Sequence, residues 1–496
     1  MDIQVQKGSI ESSAADTIIV NLFEGVTTPG GATGVVDQAL GGAISDLIAG
    51  GDLQGKAGEV AVLYPRGAIA ARRVLVVGLG KAESFDMESI RRASAAAVKR
   101  ARDLNARQVA TIVHGAGIGG HDATAAAQAT VEGALLATYR YDAPKKRDPE
   151  NAIAALTIVE RDAGRLEAVR AGAALGAAVA AGVTLARDLV NMPPNVATPT
   201  LLAERARAMA AAHGLGVTVG DRAWAAERQM GAFLAVAQGA GEPPAFIVLE
   251  HNAGRADLPT VVLVGKGITF DTGGISIKPS AGMGDMKSDM GGAAAVFGAM
   301  EVVGRLGLPL HVIGITPCTE NMPDAAAYRP ADVITASNGK TIEIISTDAE
   351  GRMVLADALV YAGQYQPAAV IDLATLTGAC VVALGDGVAA GLFCNDDGLR
   401  DRLLAAADAT YERLWPLPLY DDYRRKINSE VADMKNSGGR SGGVGTSAVF
   451  LREFTDYPWA HLDIAGMALS ERAGDYVPVG GTGFGVRLLV EYLRRL

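Results

Sequence analysis

Within five residues the sequence sets two acids and a cation, Asp348, Glu350 and Arg352, inside the stretch STDAEGRMVLAD (Ser346–Asp357). A β-branched run, Thr341, Ile342, Ile344 and Ile345, leads into it, and a helix-like run, Met353–Tyr365, leads out. Two carboxylates at a strand-to-helix junction suit a hard divalent cation, which takes oxygen ligands from rigid supports. The same residues permit a plainer reading, in which Thr347 or Asp348 caps the helix and Glu350 favours its positive end. A second cluster lies upstream, in VGKGITFDTGGISIKPSAGMGDMKSDMGG (Val264–Gly292). There Lys266 follows the apolar run Val261–Val264, Asp271 precedes a glycine pair, Lys278 closes Ile275–Lys278, and Asp289 stands before a Gly/Ala-rich helix. Taken singly these are ordinary, Asp289 as a helix cap and the lysines as solvated charge. As a set they describe a ligand site, because they stand at turns beside glycine, where backbone can approach a ligand closely. A structural cation held by oxygen alone leaves the lysines and Arg352 unexplained.

The six histidines (His114, His121, His213, His251, His311 and His461) are scattered and form no HExxH, so a histidine-rich zinc site is unsupported. Several acids can instead share two cations about 3.5–4 Å apart, which lowers the pKa of a bridging water to near neutrality. Neighbouring lysine and arginine side chains then polarise a carbonyl and hold an anion.

Positioning such groups takes a sizeable scaffold. A chain of 496 residues exceeds one ordinary core and implies two domains or three. Residues 1 to about 165 alternate β-branched runs (Thr17–Leu22, Arg73–Gly78, Gln108–His114, Ala155–Glu160) with Ala-rich segments of helical spacing such as Glu88–Asn105. VVGLGKAES (Val76–Ser84) lacks the third glycine of GxGxxG and the GxxxxGK spacing, and reads as a tight strand-to-helix turn. Arg165–Asn191 is one long Ala-rich helix stopped by Met192-Pro193-Pro194. Beyond it strands (Thr260–Val264, His311–Ile315, Thr341–Ser346, Ala369–Leu373) again alternate with helices such as Met290–Leu306, and Asn436–Thr446 is a Gly/Ser-rich loop. The expected fold class is α/β: two α/β domains, each with a mostly parallel or mixed central sheet flanked by helices, joined by a long helix. The expected boundaries are 1–165, a linker helix over 166–192, and a catalytic domain over 193–496.

Net charge of −10 argues against nucleic acid or anionic membrane as the main partner. Cys318, Cys380 and Cys394 form no CxxC, which fits a reducing, cytoplasmic setting. The first twenty residues show no basic region followed by an apolar core, so no signal peptide is expected. Ala171–Ala186 is the most apolar candidate for a membrane span, and it is shorter and richer in Ala and Gly than a spanning helix.

The motifs together resemble the cytosolic leucyl aminopeptidases, the dimetal M17 peptidases. STDAEGR (Ser346–Arg352) is similar to that family's NTDAEGR signature, with Ser346 in place of Asn and Met353 in place of Leu. The resemblance runs through NMPPNVATPTLLAE (Asn191–Glu204), VGKGITFDTGGISIKP (Val264–Pro279), MKSDMGGAAAV (Met286–Val296), NMPDAAAYRPADVI (Asn321–Ile334), VADMKNSGGR (Val431–Arg440), PWAHLDIAG (Pro458–Gly466) and GTGFGVRLL (Gly481–Leu489), in family order. The N-terminal part matches only in general character, that domain being variable in the family. The resemblance implies that Lys266, Asp271, Asp289 and Glu350 bind one Zn²⁺ or Mn²⁺. Asp271, Asp348 and Glu350 would bind the other, with the Asp348 carbonyl helping. Lys278 would polarise the scissile carbonyl, and Arg352 would hold a bicarbonate acting as general base. Met286, Thr375, Gly378 and Ala465 would wall a mostly apolar pocket for the substrate's N-terminal side chain. It further implies attack by a metal-bridging hydroxide on peptides with a free N-terminus, preference for leucine and other apolar residues, and a homohexamer with 32 symmetry. MALSERAGDYV (Met467–Val477) departs from the family's forms beside that pocket.

Two other functions compete. A dimetal phosphoesterase needs phosphate-gripping arginines or Gly-rich loops converging on the metals, and Arg352 alone is evident. A nucleic-acid-binding role, which some family members perform, is disfavoured by the acidic balance and leaves the acid and base positions without a purpose.

Overall fold

The computed structural model describes residues 1–117, 119–142, 152–255 and 257–496. The chain divides into two compact units, Met1–Ala180 with Arg472–Pro478, and Ala181–Glu471 with Val479–Leu496.

The first unit is built on a six-stranded sheet of β1 (Asp2–Lys7), β2 (Thr17–Leu22), β3 (Val60–Leu63), β4 (Arg73–Gly78), β5 (Gln108–Thr111) and β6 (Ala155–Glu160), in the order β1-β6-β5-β2-β4-β3. All neighbours pair in parallel except β3 with β4. The alternation along β2 sorts side chains to two faces. Ile18, Val20 and Leu22 join Val36 and Ile44 of α1 (Gly31–Ala39) and α2 (Ala43–Gly50). Ile19 joins the core under α3 (Met87–Asp103) and α4 (Ala123–Ala137). These two helices approach closely because residue 133 is glycine: a Cβ there would lie 2.2 Å from the Arg91 carbonyl oxygen. The expected strand Gln108–His114 stops at Thr111, and the turn after it takes Gly115 to a φ of +83°.

α5 (Leu166–Asn191) is a single helix of 26 residues, and the division between the units falls inside it. Its length and composition would let it cross a bilayer. Its packing is that of a core helix: Val169 and Ala173 belong to the first unit's core, and Leu189 and Val190 are buried in the second. Gly172 and Gly182 let neighbouring backbone come close, as a Cβ would meet Thr124 O at 2.1 Å and Gly298 O at 2.3 Å.

The second unit carries α6 (Pro199–His213), α7 (Arg222–Glu227), α8 (Gly231–Val236) and a nine-stranded mixed sheet. Its strands are β7 (Gly216–Gly220), β8 (Ala245–His251), β9 (Thr260–Gly265), β10 (Gly267–Asp271), β11 (His311–Asn321), β14 (Ala369–Ala374), β15 (Ala390–Cys394), β16 (Leu414–Pro416) and β18 (Trp459–Asp463). At its centre β18, β14, β9 and β11 run parallel, and β10 also pairs with β11. A three-stranded sheet is formed by β12 (Val333–Thr335), β13 (Thr341–Glu343) and β17 (Met434–Lys435). α9 (Gly291–Leu306) and α10 (Glu350–Gly363) pack on the large sheet, and α11 (Gly378–Leu384) follows β14.

α10 is apolar nearly all round and is buried from Met353 to Leu359. Asp357, a buried acid in its middle, accepts from the Phe233 and Ser337 N–H groups at 2.8 Å each. Burial still pushes that carboxyl up to about 6. Two further expectations are corrected. The strand expected over Thr341–Ser346 ends at Glu343, because Ile345 and Ser346 give their N–H groups to Asn436 Oδ1 rather than to a neighbouring strand. The loop expected over Asn436–Thr446 gives way to helix at Gly443.

Candidate metal centre

Open parallel sheets offer ligands the carboxyl ends of their strands. Here Lys266 leaves the end of β9, Thr375 the end of β14, and Asp463 ends β18. The Lys266 N–H donates to Leu373 O at 3.0 Å, and its carbonyl accepts from Ala293 N–H at 2.8 Å, pinning the residue between β14 and α9. Glycine is required on both flanks. A Cβ at Gly292 would sit 2.2 Å from Leu373 O, and one at Gly351 would sit 2.5 Å from Lys266 Cε.

So held, the Lys266 ammonium lies 2.8 Å from both oxygens of Asp289 and 2.8 Å from Glu350 Oε1, all of it buried. Its Nζ also donates to Thr375 O at 3.2 Å, while Thr375 Oγ1 donates to Asp289 Oδ1 at 2.8 Å. Burial works against the charge of Lys266, but Asp289, Glu350 and Asp271 outweigh it and hold the ammonium above the usual lysine range. Burial, reinforced by mutual repulsion, raises Asp289 and Glu350 above the usual carboxylate range.

The second half of the centre is a pair of turns. Asp271 ends β10 after a break in register with β11, and Gly273 and Gly274 follow at φ +84° and +63°, where a side chain is strained. Asp271 Oδ1 accepts from Gly273 N–H at 2.8 Å and Asn321 Nδ2 at 2.7 Å. Lys278 Nζ lies 2.8 Å from Asp271 Oδ2 and 2.6 Å from Asp348 Oδ1, joining the two turns. Burial opposes its charge, yet these carboxylates raise its pKa and keep it an ammonium. Asp348 is the exposed member, and burial of its surroundings raises its carboxyl too. Ser346 Oγ accepts the Asp348 N–H at 3.3 Å, so the small polar side chain at 346 supports the turn.

Glu350 does stand in the first turn of α10, but the capping roles considered for Thr347, Asp348 and Asp289 do not hold. The residue preceding α10 is Ala349, with no side-chain cap, and the residue preceding α9 is Met290, likewise uncapped. Thr347 turns elsewhere: its Oγ1 donates to Gly273 O at 2.6 Å and accepts Ser276 N–H at 2.8 Å. The Thr347 carbonyl accepts from Asn321 Nδ2 and Tyr328 Oη, both at 3.0 Å.

The structure brings one carboxylate oxygen from each of Asp271, Asp348 and Glu350 within 4.8 Å of one another, a grouping able to hold a metal ion. Asp289 joins through Lys266. The donor set fits hard cations, as it is dominated by carboxylate oxygen and Glu350 Oε2 is buried with no hydrogen-bond donor. Arg352, one helical turn into α10's start, is buried as well. Its Nη1 donates to Asn436 O at 2.8 Å, its Nε meets no acceptor, and burial lowers its pKa to about 10, still charged at neutrality.

Of the expected pocket residues, Thr375 touches the centre directly. Ala465 gives its N–H to Asp463 Oδ1, the carboxylate that also receives Leu376 and Thr377 N–H. Gly378 opens α11 with free space where a Cβ would be, and Met286 lies half-buried on the turn whose carbonyl accepts Asp289 N–H. Sequence reasoning missed Asn321, Tyr328, Asn436 and Asp463. The first three hold the turns and Arg352, and Asp463 fixes Leu376 and Thr377 through their N–H groups. All four lie inside motifs already noted, but nothing in spacing ties Asn321 to Asp271 or Asn436 to Ser346.

Comparison with known proteins agrees over both units. Residues 184–490 match the catalytic domain of the cytosol aminopeptidase family, and residues 19–148 match that family's N-terminal domain. The probable cytosol aminopeptidase of Roseiflexus castenholzii is 47% identical over 499 residues, covering 100% of this chain and 99% of the relative. That of Syntrophotalea carbinolica is 47% identical, covering 93% of each. Among solved structures, the bottromycin maturation enzyme BotP in complex with Mn is 39% identical, with a TM-score of 0.85 over 97% of this chain and 99% of that one. A mutant of tomato leucine aminopeptidase is 35% identical, with a TM-score of 0.89 over 100% and 97%. From its N-terminal domain to its carboxylate-lined strand ends, the chain belongs to the cytosol aminopeptidase family, the M17 peptidases.

Proposed function

We propose that this metal-dependent aminopeptidase holds two divalent cations, zinc or manganese, and releases leucine and other apolar residues from the free amino end of peptides. The observation that carries it is the convergence of the Asp271, Asp348 and Glu350 carboxylates beside the Lys266–Asp289 pair. Asp271, Asp289, Glu350 and Lys266 would hold one cation, Lys266 giving up its proton to the cation's field because an amine ligand must be neutral, and Asp271, Asp348 and Glu350 would hold the other. Bound there, the cations would lower the pKa of a water toward neutrality and polarise the scissile carbonyl. Lys278, kept charged by Asp271 and Asp348, faces the same space and would stabilise the negative charge that develops on the carbonyl oxygen. Arg352 would seat bicarbonate as general base, since its buried, unmet Nε and planar fork suit a carbonate-like anion. Met286, Thr375, Gly378 and Ala465 would line the pocket for the leaving residue's side chain. BotP, solved with Mn, supports manganese as one occupant.

The same reading extends to the whole protein: an N-terminal domain over 1–165 that forms the oligomer, a linker helix over 166–192, a catalytic domain over 193–496, a homohexameric assembly and a cytoplasmic location. The names of the curated relatives support that location.

The test is hydrolysis of leucine p-nitroanilide by metal-stripped protein re-supplied with Zn²⁺ or Mn²⁺. Cleavage should require metal, fail on N-blocked leucine, and fall at least about 100-fold in Asp348→Ala. Folded, metal-loaded protein that cleaves nothing across a panel of N-terminal residues would refute the reading.

A further inference from the structure

The first unit contains a cavity of about 340 Å³ that the peptidase chemistry does not use. It opens at the carboxyl ends of β2, β5 and β6, where Leu22, Val113 and Arg161 contribute to its walls. Its place in the topology is particular. From β2 the chain leaves through α1 and α2 on one face of the sheet, and from β5 it leaves through α4 on the other, while β2 and β5 are parallel neighbours. Connections that part to opposite faces open a crevice between two strands, and open α/β sheets take ligands in that crevice.

The walls have two characters. One part is apolar, with Phe23 and Val26 among its residues. The other is backbone and cation. The N-terminus of α1, at Gly30 and Gly31, faces the cavity with no capping side chain, so its first N–H groups remain for a ligand. Thr33 Oγ1 fixes that turn to the end of β2 by donating to Asn21 O at 2.6 Å. Arg165 crosses the rim, with Nη1 donating to Ala116 O at 2.9 Å and Nη2 to Glu160 Oε1 at 3.2 Å. Its side chain is 39% exposed, and its Nε, without a hydrogen-bond acceptor, is ion-paired with the Asp162 carboxylate at 3.5 Å. Glu160, the acid on the wall, is already engaged by Arg165 and by Asp162 N–H at 2.7 Å.

We propose that this cavity binds a small phosphorylated organic molecule of mononucleotide size, its phosphate at the α1 N-terminus near Arg161 and Arg165 and its body against the apolar wall. The volume lies in the range of small-molecule sites. Uncapped helix N–H groups with flanking guanidinium favour phosphate, and the apolar side gives a reason for more than a free anion.

Calorimetric titration of the full-length, metal-loaded protein tests this with the common nucleoside monophosphates, a sugar phosphate, a nucleoside and inorganic phosphate. One of the phosphorylated organic probes should bind once per chain, at least about tenfold more tightly than the nucleoside or inorganic phosphate. Gly30→Asp, at the exposed, extended position before α1, gives the first N–H groups a capping carboxylate that the helix favours, and should weaken binding at least about tenfold. Arg161→Glu, an exposed position, should do the same, and both variants should cleave leucine p-nitroanilide as before. No saturable binding by any phosphorylated organic probe overturns the proposal. So does binding that both variants leave unchanged, because it then lies elsewhere, the metal centre included. Inorganic phosphate binding as tightly as the organic probes overturns the role given to the apolar wall.

Discussion

Burying a lysine among carboxylates trades solvation for pairing, and at Lys266 the pairing is complete: three carboxylate oxygens at 2.8 Å. The consequence is a centre that grips its protons. Burial raises Asp289 and Glu350, so both take up protons at higher pH than exposed acids do. Protons and cations compete for the same oxygens. Mn²⁺ affinity should therefore begin to fall at a higher pH than for a site of ordinary carboxylates, which titrate at about 4. An affinity that falls only where ordinary carboxylates titrate, read by calorimetry, would contradict the raised carboxyls. Arg352 offers a second test at this scale. Arg352→Lys keeps charge but loses the planar fork, and kcat should fall about 10- to 100-fold with little change in KM. An equal loss confined to KM would make Arg352 a substrate-binding group instead.

At the scale of elements, the site depends on a helix start that breaks an ordinary preference. Alanine normally improves a helix over glycine by about 1 kcal/mol. At Gly351 in α10 the added Cβ would press on Lys266 Cε and Nζ, at 2.5 and 2.7 Å. Lysine ends are flexible in general, but this one is fixed by Asp289 and Glu350. Gly351→Ala should thus fold, with a Tm within a few degrees of wild type, and lose at least about 100-fold in activity. A fully active variant would show that Lys266 has room to move. The elements themselves were largely legible. Thr17–Leu22, Arg73–Gly78 and Ala155–Glu160 are strands over the ranges their β-branched runs indicate. Short-range pattern failed where distant partners decide. β13 ends early because Asn436, about ninety residues away in sequence, takes the N–H groups of Ile345 and Ser346. β11 runs on to Asn321, beyond the apolar run His311–Ile315, because β8 and β10 pair along its extension.

For the whole molecule, the candidate metal-centre residues could be picked out in sequence because their types and flanking glycines are local facts. The asparagines that hold them were not, since a residue's hydrogen-bond partners fifty to ninety positions away leave no mark on its own neighbourhood. The cavity of the first unit was invisible for the same reason, being made from the ends of strands far apart in the chain. The division between the two units, set inside α5, carries a consequence for folding. That helix spans about 39 Å, and its hydrogen bonding continues through the boundary at Ala180–Ala181. Short helices are marginal alone and depend on the core they cover. If one core melts, its half of α5 frays and the half left on the other core loses its continuation. Calorimetry should show one cooperative transition for the full chain rather than two well-separated ones, and cutting the chain within α5 should leave neither half with its native melting temperature.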